Sequence, residues 1–309
     1  MKRILLTGAS GFIGRHCTAS LRSRGYEVHA VTSASPPEAP EGVRWHRVDL
    51  LDPAQIGAVV GAVEPTHLLH LAWYVAPGSF ISSPANLAWV QASLELLRQF
   101  SEHGGQRVVM AGSGYEYDWT AEQPCTEAHT PTIPNTFYGV CKQALCELVT
   151  AYSGVAGISS AWGRVFFLYG PHEHPDRLVS SIIRSLLRGE PARCSHGRQI
   201  RDYLYVGDVA SALVALLDSE VQGPVNIASG RPIALKDLAT TIGERLRRPE
   251  LIALGAIPAR ANDAPVVVAD TTRLNLEVGW QPSYDLEAGL GETIRWWAEQ
   301  LTTGAREER

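Results

Sequence analysis

Ile4-Leu5-Leu6-Thr7-Gly8-Ala9-Ser10-Gly11-Phe12-Ile13-Gly14 decides the fold. A short apolar run leads into a turn carrying three spaced glycines, and the residues after it read as a helix to Ser23, ended near Gly25. Glycines let the backbone turn tightly and approach a pyrophosphate, which helix N-terminal N–H groups and the helix dipole then hold. Further short apolar runs follow at Val28–Thr32, Arg44–Val48, Leu68–Leu71, Arg107–Ala111 and Ser160–Phe166. Helical stretches lie between them around Pro53–Val63, Pro84–His103 and Tyr138–Ser153. Strand–helix alternation of this kind predicts an α/β fold with a Rossmann-type, doubly wound parallel sheet, its ligands gathered along one sheet edge.

After Tyr169-Gly170-Pro171 the pattern changes. Helical segments at Arg177–Leu187, Asp208–Leu217 and Leu235–Leu246 alternate with short strands at Pro224–Ile227 and Val266–Ala269, and Leu286–Leu301 reads as a closing helix. The expectation is a dinucleotide-binding domain over 1–170 and a smaller mixed α/β substrate lobe over 171–309, with some later strands returning to the first domain. Ser33–Pro40 reads as a proline-rich loop and Thr302–Arg309 as a polar, frayed tail.

A chain of 309 residues holds a large core, and 45% hydrophobic with 19% charged residues is ordinary for a soluble globular protein. A formal charge of -5 gives no electrostatic reason to expect nucleic acid or a membrane surface as partner. No apolar stretch is long enough to span a bilayer, and Met1-Lys2-Arg3 runs straight into a strand rather than a signal peptide, so a cytoplasmic location is expected. Cys17, Cys125, Cys141, Cys146 and Cys194 are scattered without paired spacing and read as reduced core thiols. His172-Glu173-His174 has its histidines only two apart and no third ligand, so no metal site is expected.

The chemistry is carried by Tyr138-Gly139-Val140-Cys141-Lys142. Four residues apart on a helix, phenol and ammonium leave the same face. A cation that close favours the phenolate, which suits proton exchange with a carbonyl or alcohol. Ser113, at the end of the Arg107–Ala111 strand, is placed to give the second hydrogen bond that fixes the oxygen. The bland alternative is that Tyr138 is a plain buried residue, which the glycine turn disfavours. Gly8, Ser10, Gly11, Phe12, Ile13, Gly14, Leu71, Ala72, Tyr138 and Lys142 are expected against a nicotinamide dinucleotide. The second strand ends Ala30-Val31-Thr32-Ser33 without the acid that bonds the ribose hydroxyls in NAD-preferring folds. Thr32 and Ser33 could donate to a 2′-phosphate, so NADP(H) is the expectation and NAD(H) the alternative. Asp49 and Leu50 are placed either for the adenine or as a helix N-cap region.

In combination, Thr7-Gly8-x-x-Gly11-Phe12-Ile13-Gly14, His70-Leu71-Ala72, Tyr138-x-x-x-Lys142 and Arg164 with Tyr169-Gly170-Pro171 resemble the extended short-chain dehydrogenase/reductase family. Ser113, 25 positions before Tyr138, falls where that family keeps its catalytic serine or threonine. The likeness extends through Gly197–Val209, Pro258–Asp263 and Gly279–Pro282, and points to the nucleotide-sugar branch. It implies that Arg201 and Arg260 contact a sugar-nucleotide diphosphate, for which guanidinium forks are suited. A structural pair of Arg201 with Asp202 or Asp208 is the alternative. Phe167 stands where many relatives have an asparagine that helps bind the nucleotide sugar, and Cys141 replaces a common serine. Trp73, Tyr115 and Phe167 are expected against the substrate, Trp73 as a wall of the sugar pocket.

Neither Gly114 nor Tyr115 is acidic, so the paired acids of the resembled 4,6-dehydratases are missing. The second half looks most like CDP-abequose synthase and similar 4-ketoreductases, which implies reduction of the C4 ketone of a nucleotide-linked 4-keto-6-deoxysugar. The alternative is a nucleotide-sugar 4-epimerase with tightly bound NAD; a more remote one is a cofactor-sensing regulatory subunit. The family's dimeric four-helix bundle implies a homodimer through the helices around Leu87–Phe100 and Tyr138–Tyr152.

Overall fold

Residues 2–36, 42–259 and 263–307 are described by the computed structural model. In chain order the first elements are β1 (Arg3–Thr7), α1 (Gly14–Ser23), β2 (Glu27–Thr32), β3 (Val43–Arg47), α2 (Pro53–Val63), β4 (His67–His70), α3 (Ala85–Glu102), β5 (Arg107–Ser113), α4 (Phe137–Ala156) and β6 (Ser159–Val165). The chain continues through β7 (Phe167–Tyr169), α5 (Leu178–Arg188), β8 (Ala192–Arg193), β9 (Ile200–Tyr205), α6 (Val206–Asp218) and β10 (Gly223–Ile227). The last elements are β11 (Pro232–Ala234), α7 (Leu235–Arg245), β12 (Ile252–Ala253), β13 (Val266–Val267) and α8 (Leu286–Glu307).

Seven parallel strands form the main sheet in the order β10-β6-β5-β4-β1-β2-β3. Alternation along β1 sends Ile4 and Leu6 into one core with α1 and α6, and Leu5 into another with α2, α3 and α4. Both faces are therefore covered, which a parallel sheet requires. Each such aliphatic side chain contributes about 1.5–3 kcal/mol by burial. Local signals set the helix ends: Asp52 accepts the Ala54 N–H ahead of Pro53 at the start of α2, and Gly157 takes a left-handed turn after α4.

The chain builds outward from β1 to β3, then crosses back to lay β4 on the other side of β1. The crevice at that reversal is where open α/β sheets bind ligands. Gly8 and Leu71-Ala72 meet there so closely that a Cβ on Gly8, at φ 66°, would lie 2.8 Å from the Ala72 nitrogen. This approach explains why the turn after β1 begins with glycine.

The smaller lobe is organised on β9, flanked by β11 and β13 and paired in parallel with β7. Helices α5, α7 and α8 bury Ile182, Leu238 and Trp297 in its core. From beyond residue 170, β10 joins the main sheet and α6 packs on it. The tail also differs from expectation: α8 runs on to Glu307 rather than fraying from Thr302. Among the described residues no helix is long and apolar enough to cross a membrane.

Candidate active site

β5 ends at Ser113, whose N–H donates to Glu116 Oε1 at 2.7 Å while its Oγ accepts the Tyr115 N–H at 3.3 Å. This reciprocal cap folds Gly114–Glu116 into a single tight turn. Glu116 is fully buried, and its carboxylate also receives Trp162 Nε1–H at 2.9 Å and Arg164 Nε–H at 2.7 Å. Gly112 leaves room for that network, since a Cβ there would lie 2.6 Å from Glu116 Oε1.

α4 begins against this turn. Thr136 caps it by accepting the Gly139 N–H at 3.0 Å, and the Tyr138 N–H donates to the Ile81 carbonyl at 3.0 Å. A Cβ on Gly139 would lie 2.4 Å from the Tyr115 carbonyl oxygen, so glycine lets the first helical turn close on the strand end. The result brings together Ser113, Tyr138 and Lys142, all buried. Burial pushes the Tyr138 phenol well above its ordinary range, opposed by the neighbouring Ser113 side chain and by the Arg177 charge. The phenol lowered by Lys142 that the sequence suggested is thus not what dominates. Lys142 itself is brought down to about 7 by burial, against the pull of Glu116. Its Nζ donates to the Ala111 carbonyl at 2.8 Å and stands 3.6 Å from the centre of the Trp73 ring.

Rings continue from Tyr138 toward the second lobe. Trp73, Phe80 and Tyr115 meet its ring at 6.4, 5.0 and 5.9 Å. Tyr115 packs on Trp119 at 4.5 Å, Trp119 on Phe167 at 6.3 Å, and Arg201 lies over Phe167 at 5.4 Å. Trp73, Tyr115, Phe167 and Arg201 therefore share one wall with Tyr138. Arg201 pairs with Asp263 at 2.6 Å and not with Asp202 or Asp208, which accept backbone N–H groups of Ser229 and Ser283. Arg260 lies outside the described residues.

At the cofactor end, Gly11 and Gly14 pack on the Gly8 carbonyl, where a Cβ on Gly14 would lie 2.1 Å from the oxygen. Ser10 Oγ and Thr32 Oγ1 are hydrogen-bonded at 2.9 Å, which joins the glycine turn to the end of β2 beside Ser33. Thr7 Oγ1 accepts the N–H groups of Leu71 and Ala72 and so fixes the end of β4. Phe12 and Ile13 pack toward the core of the second lobe. Asp49 is exposed and caps a turn by accepting the Leu51 N–H at 2.9 Å, whereas Leu50 is buried, and the helix cap is Asp52. A glycine turn, a hydroxyl pair and a backbone edge free of bulky side chains fit a dinucleotide.

Sequence reasoning missed Phe80, Trp119 and Arg177. Arg177 lies over the Phe80 ring at 5.3 Å and thereby reaches the tyrosine site, although nothing in its local sequence sets it apart from other arginines. Glu116 was legible only as a charge three residues past Ser113. The side chains of His172-Glu173-His174 take separate partners: His172 Nδ1 meets Arg15 at 2.6 Å, and the buried Glu173 accepts from Ser180 Oγ at 2.7 Å. Among the described residues no group of three or more His, Cys, Asp or Glu could hold a metal ion.

Residues 4–228 match the model of the NAD dependent epimerase/dehydratase family. The chain is 25% identical to UDP-glucuronate 4-epimerase 2 of Arabidopsis thaliana, over 98% of this chain and 77% of that protein. It is 27% identical to UDP-glucuronic acid decarboxylase 1 of Xenopus tropicalis, over 97% of this chain and 73% of that one. Among solved structures, MoeE5 in complex with UDP-glucuronic acid and NAD superposes with a TM-score of 0.83 at 30% identity, covering 96% of this chain and 99% of that chain. These relatives overturn the expected 4-ketoreduction, because they are epimerases and decarboxylases. The cofactor in the MoeE5 complex is NAD, which supports the NAD(H) alternative and gives no support to a preference for NADP(H).

Proposed function

The chain belongs to the NAD dependent epimerase/dehydratase family, and from that premise we propose a nucleotide-sugar 4-epimerase that works with NAD on a UDP-hexose or UDP-hexuronate. The observation that carries the reading is the buried Tyr138 phenol beside Ser113, with Lys142 one turn further along α4. The 4-epimerase and NAD-bound relatives support it.

When bound, NAD supplies the hydride acceptor and donor for the sugar C4. Tyr138 takes the proton of the 4-hydroxyl as that carbon is oxidised and returns one when it is reduced. Ser113 donates to the same oxygen and fixes its direction. The charge of Arg177 favours the phenolate against the burial that opposes it. Inversion requires the 4-ketosugar to present its other face before reduction. The wall of Phe80, Tyr115, Trp119 and Phe167 holds a sugar through contact area rather than fixed ion pairs, which permits that turn. Glycine-turn residues Gly8 to Gly14, with Thr32, Ser33, Leu71 and Ala72, would hold the dinucleotide.

The homodimer belongs to the same proposal. Val140, Leu148 and Val155 leave an exposed apolar stripe along α4, and Leu87 is exposed on the neighbouring α3. Sedimentation at micromolar concentration should give twice the 33.6 kDa chain mass.

Incubation with UDP-glucuronate and UDP-glucose, read by proton NMR of the anomeric region, tests the activity. The expected result is a mixture of C4 epimers with no net nicotinamide reduction. Release of carbon dioxide from UDP-glucuronate would reassign the chain to decarboxylation, and inertness toward both sugars would remove the UDP-sugar assignment.

A further inference from the structure

We propose that Trp73 is a positioning residue of the tyrosine–lysine pair, holding the Lys142 ammonium against its ring face. The inference rests on the reading of Tyr138 and Lys142 as the reacting pair. It goes beyond the sugar-pocket wall that the sequence suggested for Trp73.

Lys142 is buried, and a buried ammonium needs partners of opposite polarity. The titratable groups around it are Glu116 on the turn after β5, Tyr138 and Cys141 on α4, and His70 on β4. Burial keeps Cys141 and His70 uncharged at neutral pH, so neither balances the cation. The charge of Glu116 is already met by Arg164 at 2.7 Å. Two close partners remain: the Ala111 carbonyl at 2.8 Å and the Trp73 ring, whose centre is 3.6 Å away. The Trp162 ring lies further off, at 5.9 Å. An indole face at that separation attracts a desolvated ammonium strongly.

The ring is held in place rather than resting there by chance. Trp73 Nε1–H donates to Asn86 Oδ1 at 2.8 Å. Asn86 is fully buried in the first turn of α3, and its amide donates to the Phe80 and Ser83 carbonyls at 2.6 and 2.9 Å. Trp73 directly follows Leu71-Ala72, which abut Gly8, so the residue that carries the indole is anchored at the edge of the crevice. With one N–H on Ala111 and the ring on one side, the ammonium keeps donor capacity for the cofactor and for Tyr138.

The chain has three lysines, Lys2, Lys142 and Lys236, and the other two are exposed, so side-chain NMR can follow Lys142 directly. Protein labelled with carbon-13 at the lysine ε position is titrated without turnover, and Lys142→Met assigns the resonance. Trp73→Leu should lower the Lys142 midpoint by about one pH unit, with Trp73→Phe showing a smaller fall. An unchanged midpoint overturns the proposal. So does a rise, which would mean that the indole acts only by excluding water. Where Trp73→Leu fails to fold, Trp73→Phe and Asn86→Ala carry the test, the latter by releasing the ring. Failure here leaves the epimerase assay untouched, and a silent assay leaves the titration intact.

Discussion

The Glu116 carboxylate and the Arg164 guanidinium meet at 2.7 Å with side-chain exposures of 0% and 3%. Arg164 also donates to Tyr117 Oη at 3.0 Å, and Glu116 holds the N–H groups of Ser113 and Trp162. One carboxylate thus ties the end of β5 to β6 beneath the reacting hydroxyls. Glu116→Ala would strand a buried guanidinium and two buried N–H donors. The expected loss is about 3–5 kcal/mol in urea unfolding. A loss below 1 kcal/mol would mean that water replaces the carboxylate without strain.

Tyr138→Phe removes the proton carrier and leaves the ring contacts with Phe80 and Tyr115 in place. Epimerisation should fall by at least about 100-fold, with NAD affinity by calorimetry changed little. Retained turnover would move the proton-transfer role to another group.

Gly139→Ala asks whether the approach of α4 to the Tyr115 backbone sets the reaction geometry. The added Cβ would lie 2.4 Å from a carbonyl oxygen and 2.8 Å from Pro134 Cβ, neither of which is the end of a flexible side chain. A stability loss of about 1–3 kcal/mol is expected. The fall in kcat should exceed that expected from the unfolded fraction, because Tyr138 is the adjacent residue. Normal kcat in the folded fraction would show that the site tolerates a shifted helix start.

The main sheet was legible because its signals are local. The helix read from Pro53 to Val63 has the bounds of α2, although its cap is Asp52 and not Asp49, and the apolar runs of β1 through β6 needed no partner to be seen. β9 was not read as a strand, since Ile200-Arg201-Asp202-Tyr203 carries two adjacent charges. Those charges are buried because Asp263 meets Arg201, while Asp202 accepts from Ser229 and Gly230. Both arrangements are made over more than 20 residues of chain, which sequence periodicity does not report. The same holds at the site. Spacing found Tyr138 and Lys142, but Trp73 stacking on Lys142 and Glu116 pairing with Arg164 are products of the tertiary fold. The specific reaction was misread because second-lobe likeness outweighed a triad that reductases and epimerases share.

Acid stability should depend on His70. Its ring is fully buried between Thr7 Oγ1 at 2.7 Å and Ser93 Oγ at 2.9 Å, and burial brings it down to about 3 from an ordinary 6.5. Below pH 6.5 the unfolded chain binds a proton that the folded chain refuses. The stabilising contribution is therefore present above 6.5 and is lost as pH falls toward 3, by up to about 1.4 kcal/mol per pH unit. Glu173 works in the opposite sense: burial raises it to about 7 from 4.5, so its contribution is full below 4.5 and lost as pH rises through 7. Burial also brings His67 and His172 down to about 4, so between 4.5 and 6.5 they act with His70 and against Glu173. In His70→Gln, whose amide is expected to keep a hydrogen bond to one of the two hydroxyls, lowering the pH from 6.5 to 4.5 should cost less stability in urea unfolding than it costs the wild type. Parallel curves for variant and wild type would show that His70 accepts its proton in the folded protein without penalty.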